Sequence, residues 1–199
     1  MKLWSGILLL FLVGACAPFE QPRSEQPPRP VQPIKRTVVT VDRVVATKAK
    51  LRAHLTENRH EAALMLIGRE VGSGMPEATF ANEYVQAVNV LLREGEQLMA
   101  QGNCARAGVI FGHINHYFPQ NPELAQRLDQ SSVAVTNRLA LCADRLMDRG
   151  LLLYRSGKLP EAMAVWRQIL EFAPDHQARQ ALETAALQLK NLNEIDSSK

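Results

Sequence analysis

The sequence predicts an all-α fold made of helical hairpin repeats, with an extra helix between two repeats and a capping helix at the C-terminus. Three observations predict it. Five residues recur at one spacing: Gly95, Gly102, Ala107, Phe111 and Pro119, then Gly150, Gly157, Ala162, Trp166 and Pro174. Each member of the second set lies 55 positions after its counterpart, as 150 − 95 shows for the first pair. Self-similarity at a fixed period marks repeat architectures, in which each unit buries its apolar face against the next. Apolar residues also fall at helical intervals through most of the chain after residue 49. Aromatics make up only 6% of the residues, and alanine and leucine are abundant, which suits stacked helices.

The first residues read as a targeting segment. Lys2 supplies a positive start, and Leu3 to Val13 is a short apolar run. Crossing a bilayer takes roughly 20 apolar residues, so residues 1–15 read as a signal peptide. The ending Val13-Gly14-Ala15-Cys16 resembles the bacterial lipobox. That resemblance implies a mature chain beginning at Cys16, with lipid on its sulfur and on its new N-terminus. The alternative is an ordinary cleaved signal followed by a chance cysteine. Ala17 stands where an Asp would favour inner-membrane retention, so the resemblance implies an outer-membrane anchor facing the periplasm.

Residues 16–36 read as a tether. Pro18, Pro22, Pro27, Pro28, Pro30 and Pro33 are interleaved with Gln, Glu, Ser and Arg. Such a stretch has little to bury and favours extended polyproline II, a semi-rigid spacer of about 3 Å per residue. The Pro27–Pro30 spacing also fits a recognition ligand, although a plain linker needs no partner. Lys35, Arg36, Arg43, Lys48, Lys50 and Arg52 form a basic cluster that either meets anionic headgroups or stays a solvated face. Thr37 to Val45 is β-branched; it reads either as a strand or as a lead-in to a helix capped by Thr40.

Residues 37–199 read as one helical domain. Ala49 to His54 and His60 to Arg69 carry Leu51, Leu55, Leu64, Ile67 and Val71 at helical spacing, with Asn58 breaking them and Gly72-Ser73-Gly74 ending the second. Ala62 and Leu66 keep the Ala-x-x-x-large spacing, so this pair reads as a degenerate repeat. Met75-Pro76-Glu77 opens a helix with Pro in the first turn, running through Tyr84, Val88 and Leu98 to Gly102. Gly102-Asn103 and Gly157-Lys158 read as inter-helix turns, where Gly takes a left-handed conformation. Between the repeats, Pro122 to Cys142 holds Leu124, Leu128, Val135, Leu139 and Leu141, which predicts one further helix, continuous or not with the next. Gln177 to Ile195, with Leu182, Ala185, Leu189 and Leu192, is the last helix.

The five-residue pattern resembles the tetratricopeptide repeat (TPR) over 88–121 and 143–176. In that family Gly95 and Gly150 admit close approach of the partner helix, Ala107 and Ala162 are small contacts, and Phe111 and Trp166 fill the space between helices. The resemblance implies that first helices line a concave groove, here Asn89, Leu92, Glu96 and Met99, then Asp144, Met147, Leu151, Tyr154 and Arg155. This mixture suits a peptide or a partner helix, and Met adapts to varied shapes. The Lys/Asn set with which some members hold a C-terminal carboxylate is missing. The other reading is that the extra helices cover this groove.

Candidate chemistry is thin. The net charge is +3 and falls toward zero once Lys2 is removed with the signal, so there is no strong nucleic-acid field. His113 and His116 are spaced i, i+3 and would share a metal only with further ligands; otherwise they are surface histidines. No Ser-His-Asp set, paired-carboxylate site, phosphate loop or CxxC occurs. We therefore expect no enzyme, no cofactor and no metal. Cys104 and Cys142 read as a disulfide or as two buried free thiols. At about 1.5 Å per residue, both fall toward the same end of adjacent antiparallel helices.

The resulting expectation is a membrane-anchored adaptor that binds protein partners in the cell envelope and aids assembly or localisation of an envelope complex. In arrangement it resembles the pilotin lipoproteins of pilus systems and the repeat lipoprotein of the outer-membrane barrel-assembly machine. The alternatives are a regulator of cell-wall enzymes, or a metal- or small-ligand-binding envelope protein using the His113–His116 edge.

Overall fold

The computed structural model describes residues 41–197. The signal peptide, Cys16 and the proline-rich tether lie outside the described residues. The described chain is all helical: α1 Val41–Thr56, α2 His60–Gly72, α3 Ala81–Ala100, α4 Cys104–His116, the short α5 Pro122–Ala125, α6 Ser132–Arg155, α7 Leu159–Leu170 and α8 His176–Ser197. Among these residues no helix is long and apolar enough to cross a membrane. The helices pack as antiparallel hairpins α1/α2, α3/α4 and α6/α7, stacked in chain order and closed by α8 on α7. One TPR-like core runs through the stack.

The three hairpin turns share one construction. Asn58, Gly102 and Gly157 have φ of 55°, 79° and 74°. The next residue's N–H donates five residues back: Arg59 to the His54 carbonyl, Asn103 to Leu98 and Lys158 to Leu153, at 2.8, 2.9 and 3.0 Å. This six-to-one closure around a left-handed residue satisfies carbonyls that a helix end leaves without partners.

That equivalence corrects the register of the degenerate repeat. Asn58 lies 44 positions before Gly102 (102 − 58), and the same offset gives Leu51, Ala63, Ile67 and Met75 for Gly95, Ala107, Phe111 and Pro119. Ala63 and Ile67 are buried, whereas Ala62 is only half-buried. The repeat pair is therefore Ala63/Ile67, not Ala62/Leu66. The first copy uses the left-handed tolerance of Asn where the others use Gly.

Other boundaries also move. Thr37–Val45 is not a strand from Val41 onward, because α1 starts there; Thr40 lies outside the described residues. Pro76 is extended (φ −62°, ψ 136°) rather than first-turn helical, and a 3₁₀ turn, Glu77–Phe80, leads into α3. The inserted stretch is α5, an irregular segment 126–131, and an N-terminal extension of α6. Asn121 caps α5 by accepting from Glu123 N and Leu124 N, and Ser131 caps α6 by accepting from Ala134 N.

Rings on glycines lock the stack. Phe111 and Trp166 are wholly buried, each crossing from its helix onto Gly95 or Gly150 of its hairpin partner. A Cβ on Gly95 would lie 2.7 Å from Phe111 Cζ, and one on Gly150 2.6 Å from Trp166 Cδ1 and Cε2. Between hairpins, Tyr117 sits on Gly68 of α2 and Phe172 on Gly108 of α4. Tyr84 adds a buried hydroxyl that donates to the Tyr117 carbonyl.

Candidate functional site

The expected groove divides into a covered half and an open half. In the first half, Leu92 and Met99 are buried in the core. Asn89 Oδ1 accepts from Asp129 N at 3.0 Å, and Arg93 Nη1 pairs with Asp129 Oδ2 at 3.1 Å. Glu96 Oε1 accepts from Arg138 Nε at 2.7 Å and Gln130 Nε2 at 2.9 Å. Arg127 Nη2 donates to Asn82 Oδ1 at 2.8 Å. Asn82, Asn89, Arg93 and Glu96 share one face of α3. The insertion between the repeats thus lies along that face and takes its polar contacts. Here the structure follows the other reading, in which added segments cover the groove: Leu92 and Met99 are buried, and Asn89 and Glu96 are half-buried and bonded to the insertion.

The second half is open. Met147, Leu151 and Tyr154 of α6, Trp166 of α7, and Gln177, Gln180, Ala181 and Thr184 of α8 line a cleft of about 440 Å³. Trp166 forms its floor. Its indole N–H donates to the Met147 carbonyl at 3.4 Å, and its ring lies 5.9 Å from that of Tyr154, tilted by 41°. The indole is thereby fixed without spending its N–H on a ligand. Apolar side chains form one wall, and the amides of Gln177 and Gln180 with the Thr184 hydroxyl form the other. Asp144 and Arg155, also expected here, are exposed and do not line the cleft. Sequence reasoning missed the α8 wall because that helix was read only as a cap. Its Gln177, Ala181 and Thr184 spacing is nonetheless one helical face.

A second depression, about 550 Å³, lies on the opposite side of α8 among Met163, Ala186, Leu189, Lys190 and Glu194. It is shallow and lies away from the α6 face that the repeat pattern singled out.

At the histidine edge, the two side chains have separate neighbours. His113 Nδ1 lies 3.8 Å from Glu61 Oε1, which pairs with Arg106 at 2.9 Å, while His116 stacks edge-on against Tyr117. Among the described residues no group of three His, Cys, Asp or Glu side chains could hold a metal.

Cys104 and Cys142 do come together. Both are buried free thiols, in hydrogen-bonding contact across α4 and α6. Burial, then the neighbouring Cys104, pushes the Cys142 thiol up to about 12.

The fold and cleft define a helical-hairpin repeat protein with a preformed amphipathic cleft between α6, α7 and α8. No family model, curated protein or solved structure matches the chain.

Proposed function

We propose that this chain is an envelope adaptor lipoprotein of the TPR type, anchored through Cys16, whose α6–α8 cleft binds a protein partner and helps assemble or localise an envelope complex. The α6–α8 cleft carries the reading. It combines a rigid aromatic floor, adaptable Met147 and Leu151, and amide donors and acceptors on the facing helix. An amphipathic helix or extended peptide meets such a surface with apolar anchors on one side and hydrogen bonds on the other. The lipobox-like end of the apolar run supports the anchor, and the proline-rich stretch supports a spacer between anchor and domain.

Site-specific photo-cross-linking in cells tests it. A photoreactive residue at Leu151 or Gln180 should give the same discrete adduct with an envelope protein. The same residue at Asn89, under the insertion, should give none. Equal labelling at all three positions, or no adduct at Leu151 and Gln180, would overturn the reading. A captured wall synthase or hydrolase would turn it toward regulation of cell-wall enzymes.

A further inference from the structure

The cysteine pair has an approach route. Cys104 is the first residue of α4, directly after the Gly102-Asn103 turn. It lines a surface pocket of about 250 Å³ together with Asn103, Leu146, Arg149 and Gln168. Cys142 is fully buried behind it in α6 and touches Cys104. Arg145 binds the junction, donating from Nη1 to the Met99 carbonyl at 3.5 Å and to Cys104 Sγ at 4.0 Å. Cys104 thus lines a polar pocket, whereas Cys142 is wholly buried and lies outside that lining. The first turn of a helix is also where local opening costs least.

We propose that Cys104 and Cys142 form a thiol–disulfide exchange site, in which Cys104 reacts first with an external disulfide and Cys142 resolves the product into a bond between α4 and α6. The reagent is a disulfide, R–S–S–R, borne by a protein oxidant or a small thiol couple. Deprotonated Cys104 attacks one reagent sulfur. The Cys104–S–S–R bond forms, the reagent's own S–S bond breaks, and the first thiolate leaves and takes up a proton. Deprotonated Cys142 then attacks the Cys104 sulfur and expels the second thiol. Two S–H bonds of the chain become one S–S bond, and the reagent's disulfide becomes two thiols, so two electrons and two protons pass to the reagent. The division of labour follows from position. Burial is the larger reason that Cys142 keeps its proton, and forming the mixed disulfide removes the smaller one, the thiol partner on Cys104.

The bond would tie α4 to α6 across the whole insertion, closing a loop of 39 residues (142 − 104 + 1). Loop-closure entropy for that length corresponds to a Tm rise of about 10 °C in a domain of this size. The inference stands on the cysteine geometry and is independent of the adaptor reading.

The test incubates the folded full-length protein with oxidised glutathione, alkylates it under denaturing conditions and maps tryptic peptides, which scores Cys16 separately. Trypsin places Cys104 in Glu94–Arg106 and Cys142 in Leu139–Arg145. The wild type should yield these two peptides linked, two hydrogens lighter, with the Tm raised. Cys142→Ser should stop at a glutathione adduct on Cys104, and Cys104→Ser should leave Cys142 unmodified. Free, alkylated peptides in the oxidised wild type would overturn the proposal, as would a glutathione adduct on Cys142 in Cys104→Ser. The wild-type peptide map decides whether the bond forms even where a variant folds poorly, and the two variants decide which thiol reacts first.

Discussion

Gly150→Ala sets two physical effects against each other, and the structure decides the sign. In a helix interior, Ala is favoured over Gly by about 1 kcal/mol. Gly150, however, lies beneath Trp166, and the new methyl would sit 2.6 Å from Cδ1 and Cε2 and closer still to Nε1. Trp166 is wholly buried, and its indole is tied to the Met147 carbonyl of the same helix as Gly150. The ring cannot swing aside without losing that bond and opening α6 from α7. Overpacking of this kind costs about 1–3 kcal/mol, and contacts this short on a fixed ring belong at the upper end. The net expectation is a loss of about 2 kcal/mol in urea unfolding at unchanged m. Gly72→Ala, with nothing within 4 Å of its Cβ, is the opposite case and should be neutral or stabilising by up to about 1 kcal/mol. In a double-mutant cycle with Trp166→Ala, most of the Gly150→Ala penalty should vanish, because the clashing atoms are gone. A Gly150→Ala variant as stable as wild type, or a cycle with no coupling, would refute the ring-on-glycine packing.

The remaining predictions follow from other features. Gly157→Leu should cost about 1–2 kcal/mol from its φ of 74° alone, since nothing crowds its Cβ; calorimetry showing no loss would contradict the left-handed turn. Burial, then Glu77, holds the Tyr84 hydroxyl well above its ordinary value. A raised folded-state value leaves stability intact below the unfolded tyrosine value of about 10 and erodes it above, so unfolding free energy should fall beyond about pH 10, and less so in Tyr84→Phe. Glu96→Ala should speed amide exchange at Asp129, whose N–H donates to Asn89, while costing no more than about 1 kcal/mol, because the Glu96–Arg138 pair is partly exposed; unchanged exchange would mean the insertion is held by other contacts. Cys16→Ser should release the protein from membranes or block processing, and unchanged partitioning and mass would remove the anchor from the proposed function.

The repeat was legible because its spacing records backbone requirements. A left-handed turn residue, a small residue five positions on and a ring that needs a glycine partner are local demands, and each leaves a residue type behind. The first hairpin was misread by one position because Asn58 meets the same demand in a different residue. The closed half of the groove was illegible for another reason. Asn89 and Glu96 are polar, and polar residues on a first helix look the same whether they face water or, as here, the backbone of Arg127 and Asp129 and the side chains of Gln130 and Arg138. The one available signal was the length of the insertion, which had to pack somewhere. The cleft was half legible: Met147, Leu151 and Tyr154 came from the repeat, but its α8 wall lies outside any repeat.

The rings on Gly68 and Gly108 also bear on how long the array can be. In the turn-based register Gly68 and Gly112 both stand ten residues after the left-handed residue, and Gly108 stands six after it. Each hairpin thus offers a shallow seat to the ring that ends the next one. In α7 the same two positions are Met163 and Arg167, which offer none. A further hairpin could not dock behind α7 by the joint used twice before. Elongation stops by steric means at α7, and α8 closes the stack with a different contact. Because each seat belongs to one hairpin and its ring to the next, damage in α2 should propagate forward into α4, whereas loss of α8 should leave the α2 and α4 seats filled.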